Sequence, residues 1–218
     1  MSSQPPEYFA QTRPEMLSFV PQGRLRVLEI GCAEGRFGAQ LKQHRGAGEV
    51  WGVELDPKAA AAAERTLDRV FVGDIARLSF DLPEQHFECI VMNDVIEHLA
   101  NPDEVVARLK RVLARDGVIV CSIPNVRYFF TLFDLVVRKK WEYEDAGVLD
   151  RTHLRFFTLS SIRSFFDRLG FEVERLEGIH GLNSWKFTAI NALSLGQLAD
   201  TRFPQFACVA RLRPPNTK

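Results

Sequence analysis

The segment "NDVIEHL" carries acidic and imidazole side chains at a spacing that could support chemistry. Asp94, Glu97 and His98 stand at positions i, i+3 and i+4, so they share one face if a helical turn begins here. Two carboxylates and an imidazole could hold a divalent cation, with Mg²⁺ preferring the oxygens. His98 could instead act alone as a general base, because its ordinary pKa of about 6.5 suits proton removal near neutral pH. The alternative is a structural role in which Glu97 and His98 only cap and pack the turn.

A second group of reactive side chains lies in the segment "WEYEDAGVLDRTHLRFFT", which includes Asp150 and His153. Aromatic faces beside charged donors suit sugars, phenols or phosphorylated groups. The segment belongs to a long insertion, residues 125–157, and long insertions on a rigid sheet are usually lids or binding loops. Within it, the apolar residues 129–133 predict a helix that packs on the core. The basic run 138–140 predicts its solvated end.

The first predicted strand ends in "LEIGCAEG", in which small residues alternate at Gly31, Ala33 and Gly35. Small residues let the backbone turn tightly and approach a ligand closely, and the next helix directs free N–H groups at that ligand. The G-x-A-x-G spacing differs from the G-x-G-x-x-G of dinucleotide-binding folds, which disfavours a nicotinamide oxidoreductase. Alanine at position 33 fits such a turn if its φ is negative. The candidate cofactor contacts here are Glu29, Gly31, Cys32, Ala33 and Gly35.

Acidic residues end the next two predicted strands. Glu54 lies about 20 residues after the loop, where an acidic residue hydrogen-bonds the ribose hydroxyls of an adenosine cofactor. Asp74 could accept from an adenine amino group while Ile75 packs on the ring. Either acid alone could be a helix cap or a solvated charge, but three successive strand ends together indicate an adenosine site. Leu55, Asn93 and Asp94 complete the candidate cofactor contacts.

The elements that must position these residues alternate between strand and helix patterns. Predicted strands cover 24–30, 49–55, 70–74, 87–94, 117–124, 171–178 and 205–213. Predicted helices cover 35–44, 56–67, 101–114 and 161–170, with Asp56 and Asn101 as caps. This alternation predicts an α/β fold with a parallel sheet and right-handed crossovers.

Three segments resemble, in order, motifs of the class I S-adenosylmethionine-dependent methyltransferases: "VLEIGCAEGRFG", "VWGVELDP" and "FECIVMNDVIEHLANPDEVV". The resemblance spans residues 24–213 and implies S-adenosylmethionine as cofactor. It also implies a Rossmann-like, doubly wound, seven-stranded sheet that is mostly parallel with an antiparallel last strand. Residues 24–213 would form the methyltransferase domain with its lid insertion, 125–157. Residues 1–23 would form a cap or a tail, in which Tyr8, Phe9 and Arg13 could fold over the cofactor.

The "NDVIEHL" element is also similar to two methyltransferase subgroups. One comprises the O-methyltransferases of ubiquinone biosynthesis. The other comprises the small-RNA 3′-end 2′-O-methyltransferases, whose acids and two histidines bind a metal. His153 would take the place of the second histidine, and Asp94 stands where those groups usually carry glutamate. The resemblance implies Asp94, His98 and His153 as catalytic residues, and Asp94, Glu97, His98 and His153 as ligands of an ion such as Mg²⁺.

The insertion, flanked by "SIPN" and "THLRFFT", resembles bacterial methyltransferases of polysaccharide and natural-product pathways. That resemblance favours O-methylation of a small hydroxylated acceptor, namely a sugar, a phenol or another natural product. The alternatives are a non-catalytic protein that binds S-adenosylmethionine, and an RNA 2′-O-methyltransferase.

The composition limits the kinds of binding partner that we expect. The 28 basic and 28 acidic residues balance, which disfavours nucleic acid as a partner. No apolar run approaches the roughly 20 residues that cross a bilayer, so we expect no membrane insertion. The N-terminus does not read as a signal peptide, and the four scattered cysteines form no CxxC pair. We therefore expect a cytoplasmic protein that acts on a small-molecule acceptor, and the sequence leaves its oligomeric state open.

Overall fold

The computed structural model describes residues 12–77 and 81–214. Within these residues, seven strands form one sheet in the order β3-β2-β1-β4-β5-β7-β6. Strands β1 to β5 pair in parallel, whereas β7 runs antiparallel to both of its neighbours. This topology confirms the predicted mostly parallel sheet with an antiparallel last strand. The strands are β1 Arg26–Ile30, β2 Glu49–Glu54, β3 Arg69–Val72, β4 Phe87–Asn93, β5 Leu113–Pro124, β6 Phe171–Ile179 and β7 Gln205–Leu212.

The helices lie on both faces of the sheet and beyond its carboxyl edge. They are α1 Pro14–Leu17, α2 Arg36–Gln40, α3 Pro57–Ala63, α4 Pro102–Leu109, α5 Phe129–Val136, α6 Leu159–Arg168 and α7 Trp185–Leu193. A π turn, Leu41–Arg45, extends α2, and 3₁₀ turns cover Ile75–Arg77, Ile96–His98 and Ala199–Arg202. The sequence patterns did not predict α7.

Local signals explain where some helices begin and end. The Asp56 carboxylate caps α3 by accepting the Lys58 and Ala59 N–H groups at 2.8 and 2.9 Å. Asn101 holds the N-cap position of α4 as predicted, but its side chain makes no capping hydrogen bond. Helix α4 ends before residue 114 because the chain already pairs as a strand at Leu113, opposite Phe87.

The core has two parts, because successive strand residues point to opposite faces of the sheet. Leu28 packs with one cluster, which includes Leu109 of α4 and Phe165 of α6. Val27 packs with the other, which includes Met16 of α1. Met16 is fully buried, so the described part of residues 1–23 packs onto the domain rather than forming a free tail. Tyr8 and Phe9 lie outside the described residues.

The ends of the insertion meet at a parallel bridge between Asn125 and Phe157. The Asn125 amide also donates to the carbonyl oxygens of Asp200 and Phe203, each at 2.9 Å. Helix α5 forms as predicted, but Phe130 and other apolar residues along it are exposed. The prediction that this helix packs on the core is therefore wrong. Among the described residues, no helix has the length and apolar character to cross a membrane.

Candidate active site

The loop between β1 and α2 has the tight turn that its small residues predicted. Gly31 and Gly35 have φ angles of +70° and +76°, a region that favours glycine. A Cβ at Gly31 would lie 3.0 Å from the Val95 side chain, and one at Gly35 would lie 3.1 Å from the Ala63 backbone. Both positions therefore require glycine for conformation and for space.

Ala33 has a φ of +49°, so the expected negative φ is wrong. For a residue with a Cβ, this left-handed conformation costs roughly 1–2 kcal/mol. The Ala33 N–H group donates a 2.8 Å hydrogen bond to Oε2 of Glu54, which helps to hold the loop in this conformation.

The Glu54 carboxylate ends β2 and is buried beside the loop. Its Oε1 accepts the Asp56 N–H group at 2.9 Å, while Oε2 accepts from Ala33. Each carboxylate oxygen can accept a further hydrogen bond, so the capacity for a ribose hydroxyl is preserved. The sequence indicated the ribose role but missed this second one, in which Glu54 joins the loop to the start of α3.

Two other buried groups underlie the loop. Burial raises the pKa of Glu29 to about 8, against the opposing effect of the Gly38 backbone amide. Oε2 of Glu29 has no hydrogen-bond partner among the described residues. Cys32 is also buried, which raises the pKa of its thiol, and a Cβ at Gly52 would lie 2.5 Å from its sulfur. Close packing therefore explains Gly52, which the loop motif did not single out.

The remaining predicted cofactor contacts lie at the same edge of the sheet. Asp74 accepts the Ala76 N–H group at 2.8 Å and so starts the 3₁₀ turn that contains the buried Ile75. Leu55 is 68% exposed, which is unusual for leucine beside a buried strand. Both polar atoms of the Asn93 amide are buried without a partner among the described residues. An unpaired amide at the end of β4 points to a polar ligand, and this fits an adenosine cofactor.

Asp94 does not join Glu97 and His98 on a helical face. Its φ of +51° and the late start of the 3₁₀ turn at Ile96 direct its carboxylate elsewhere. There it forms an ion pair with Arg13 and accepts hydrogen bonds from the Ser122 hydroxyl, at 2.8 Å, and the Gln205 amide. Contrary to the sequence prediction, Asp94 is therefore not positioned to bind a metal ion together with Glu97 and His98.

Glu97, His98 and His153 come together instead. One ligand-capable atom from each lies within 4.8 Å of the others, and the two imidazole centroids are 4.8 Å apart. The Leu154 and Arg155 N–H groups both donate to the Glu97 carbonyl oxygen, at 2.8 and 3.0 Å. These two backbone bonds fasten the insertion to the turn after β4, which is why His153 reaches His98.

Burial sets the charge of this cluster. It raises the pKa of Glu97 to about 8, and nearby Asp150 adds to the effect while Arg13 opposes it. Both carboxyl oxygens of Glu97 are buried without a hydrogen-bond partner among the described residues. Burial and the neighbouring His153 lower the pKa of His98. Near neutral pH, His98 is therefore a neutral imidazole.

A hydrogen-bonded chain orients His98. The Thr152 hydroxyl donates to the Asp150 carboxylate at 2.6 Å, and Nδ1 of His98 lies 3.1 Å from that hydroxyl and 3.2 Å from the Thr152 carbonyl oxygen. Nδ1 of His153 lies 3.1 Å from the Val148 carbonyl oxygen. A carbonyl partner places a proton on Nδ1 of each ring, and in the neutral imidazole of His98 the lone pair is then on Nε2. The sequence did not single out Thr152, although Asp-x-Thr is a common turn pattern.

Comparison with known proteins assigns this architecture. A family model described as a methyltransferase domain matches residues 2–176. An uncharacterized protein of Methanocaldococcus jannaschii is 26% identical over 79% of this chain and 83% of its own length. A probable S-adenosylmethionine-dependent methyltransferase of Mycolicibacterium smegmatis is 32% identical over 71% of this chain, which spans only 55% of that protein.

Solved structures agree on the fold. A S-adenosylmethionine-dependent methyltransferase from Archaeoglobus fulgidus superposes with a TM-score of 0.68 at 19% identity, covering 94% of this chain and 96% of that one. The sheet order, the loop at Gly31–Gly35 and the family match give one conclusion. The chain belongs to the methyltransferase domain family, and its cofactor is S-adenosylmethionine.

Proposed function

We propose that this methyltransferase transfers the methyl group of S-adenosylmethionine to a hydroxyl oxygen of a small acceptor, namely a sugar, a phenol or another natural product. The observation that carries this proposal is the Asp150–Thr152–His98 chain, which leaves a lone pair on Nε2 of a neutral imidazole. A hydroxyl acceptor needs a base to take its proton, whereas an amine needs much less help.

In the proposed step, the acceptor oxygen attacks the methyl carbon in line with the sulfur. An O–C bond forms as the C–S bond breaks, and the bonding pair stays on sulfur to give S-adenosylhomocysteine. The hydroxyl proton passes to Nε2 of His98. The chain contributes mainly proximity and orientation, which can supply roughly 7–11 kcal/mol.

On the cofactor side, we assign the backbone of Gly31–Gly35 to the amino-acid moiety and Glu54 to the ribose. Asp74, Ile75 and Leu55 would surround the adenine, and the unpaired Asn93 amide would bond the cofactor at the end of β4. Asp94, which is ion-paired with Arg13, would close this site from the N-terminal side.

Similar proteins suggest an acceptor for this chain by analogy. A relative from Geobacter sulfurreducens, 29% identical over 67% of this chain, is named malonyl-[acyl-carrier protein] O-methyltransferase. A structural neighbour at 16% identity is the [4+2]-cyclase SpnF, so the fold alone does not fix the reaction. The balanced charge disfavours RNA as the acceptor.

The test uses S-adenosylmethionine labelled with ¹³C at the methyl group and a panel of sugars and phenols. The carbon chemical shift of the product distinguishes an O-methyl from an N-methyl group. With an acceptor in hand, we expect His98→Asn to lower kcat by about 10²–10⁴-fold. The exposed His44 provides the matched control, and His44→Asn should leave kcat unchanged.

Thr152 is a positioning residue, so its test reads the pH profile. Thr152→Val should lower kcat less than His98→Asn and should shift the acidic limb of the profile. Full O-methylation by the His98→Asn variant would exclude His98 as the base. Tight S-adenosylhomocysteine binding without turnover of any acceptor would favour the non-catalytic alternative.

As an alternative to His98 acting as the base, we propose that Glu97, His98 and His153 bind a divalent cation, which would occupy the Nε2 lone pair of His98. The buried Glu97 carboxyl, which has no hydrogen-bond partner among the described residues, and the two neighbouring imidazoles fit such an ion. Two nitrogen donors suit Zn²⁺ or another transition metal better than Mg²⁺, which prefers oxygen ligands. A bound cation would act as a Lewis acid toward the acceptor hydroxyl.

Metal content provides a readout that does not depend on activity. After dialysis against EDTA, we expect Zn²⁺ or Mn²⁺ to rebind in one equivalent and raise the melting temperature, and Glu97→Gln to abolish both effects. Absence of binding, together with activity that is insensitive to EDTA, would refute the metal proposal and leave His98 as the base.

A further inference from the structure

The carboxyl edge of the sheet carries a large apolar surface that the reaction does not use. Helix α5 follows β5 at Pro124, and α7 follows β6 at Ile179. Pro124 and Ile179 both pair with Gln205 of β7, so the two helices emerge at the same edge. Phe129 of α5 and Phe187 of α7 make an edge-to-face contact with centroids 5.7 Å apart.

Nine large apolar side chains of these two segments face solvent, and each is between 38% and 91% exposed. Even at about 150 Å² per side chain, they expose on the order of 800 Å². The largest apolar patch on a typical monomer covers about 300–600 Å². The nine are Phe130, Phe133, Leu135, Val136, Val137, Trp185, Ile190, Leu193 and Leu195.

The same segments concentrate positive charge. Residues 125–141 and 180–198 contain five Lys or Arg residues and one acidic residue. Two of the five pair with acids just outside these ranges, Arg127 with Asp200 at 2.7 Å and Lys140 with Glu142 at 3.6 Å. Arg138 pairs with the acidic residue inside these ranges, Asp134, at 3.0 Å. Lys139 and Lys186 are exposed and make no ion pair within the part of the chain that the structure describes.

We propose that this surface, the α5–α7 surface, docks the protein on an anionic lipid bilayer. Exposed aromatic and aliphatic residues beside unpaired lysines are typical of segments that lie in the membrane interface. The cores of protein–protein interfaces are instead depleted in lysine, which argues against a second copy as the occupant. Docking here lays the protein on the membrane without a spanning helix, and it turns the carboxyl edge of the sheet toward the lipid.

The experiment is co-sedimentation of the full chain with vesicles, without cofactor or acceptor, so its outcome is independent of the proposed reaction. We expect binding to vesicles of equal parts phosphatidylcholine and phosphatidylglycerol, little binding to phosphatidylcholine alone, and weakening by salt. Trp185 fluorescence should shift to the blue on binding, and Trp185→Phe should remove most of that shift.

Two variants test the surface itself. Lys139→Glu with Lys186→Glu should weaken binding at least tenfold. The matched control, Arg65→Glu with Arg163→Glu, makes the same change in net charge at exposed positions on α6 and just after α3, and it should bind nearly as well as the parent.

Leu193→Ser with Leu195→Ser should also weaken binding at least tenfold without changing the melting temperature, because both side chains are exposed. Equal binding by the surface and control variants would overturn the proposal. So would a lack of binding at low salt, or a dimer in solution that the Leu193→Ser, Leu195→Ser variant dissociates.

Discussion

Replacing Glu54 with glutamine tests the structural role of this carboxylate and its proposed contact with the cofactor ribose. Its two oxygens accept the Ala33 and Asp56 N–H groups at 2.8 and 2.9 Å in a buried site. Glutamine offers one oxygen, so its amide nitrogen must face one of these donors. A hydrogen bond to a charged group contributes about 1.5–3 kcal/mol, so we expect Glu54→Gln to lower the free energy of unfolding by about that amount.

Urea unfolding measures this loss, and the exposed Glu64 provides the control, since Glu64→Gln should change the free energy of unfolding by less than about 0.5 kcal/mol. Testing the proposed ribose contact requires a ligand that lacks one ribose hydroxyl group. We expect 2′-deoxy-5′-methylthioadenosine to bind the parent roughly 10- to 100-fold more weakly than 5′-methylthioadenosine. In Glu54→Gln, the two ligands should differ much less.

Isothermal titration calorimetry of both ligands with both proteins gives the interaction energy between the Glu54 carboxylate and the 2′-hydroxyl group. An equal penalty for the missing hydroxyl in both proteins would show that Glu54 only shapes the loop. An unchanged free energy of unfolding would refute the inference that the bonds from Ala33 and Asp56 to Glu54 stabilise the loop and the start of α3.

Three further predictions concern stability. Ala33→Gly should raise the free energy of unfolding by about 0.5–1 kcal/mol, because glycine removes the cost of a φ of +49°, whereas Ala39→Gly within α2 should lower it by about 1 kcal/mol. Folded Glu29 keeps its proton to about pH 8, while the unfolded carboxyl loses it near 4.5, so Glu29 contributes a loss of up to about 1.4 kcal/mol per pH unit across that window, and the buried Glu97 adds a similar loss. Glu29→Gln should therefore make the slope in urea titrations less steep by up to about 1.4 kcal/mol per pH unit, and an unchanged slope would contradict the assignment. Asp56→Ala should lower the free energy of unfolding by about 0.5–2 kcal/mol through loss of the cap, and an equally stable variant would show that the capping bonds contribute nothing.

The sequence could suggest the residues of the proposed cofactor site because the features that point to them are local. The small-residue loop, the acids at the ends of β2 and β3 and the Asp56 cap each depend on residues a few positions apart. The alternation of apolar strands and helices likewise follows from side-chain periodicity, which is a property of short segments. These features predicted the sheet, and they are the basis of the proposed binding place for S-adenosylmethionine.

The acceptor half was predicted only in part. The pattern around residues 94–98 suggested a helical face, but the chain enters a left-handed conformation at Asp94, and Arg13 and Gln205 draw its carboxylate away. The patterns predicted helix α5 but not its exposure, and they did not predict α7. An apolar run indicates burial in a core, and nothing local shows that the run ends at the surface.

The sequence by itself determined the fold class, the cofactor and the residue types of the site, because each follows from the spacing of apolar and motif residues along the chain. Only the tertiary structure decided which side chains meet. His98 and His153 are 55 positions apart, and they become neighbours because two backbone N–H groups of the insertion bond to the Glu97 carbonyl oxygen. Backbone hydrogen bonds between distant segments are available to almost any residue, so they leave no signature in the sequence.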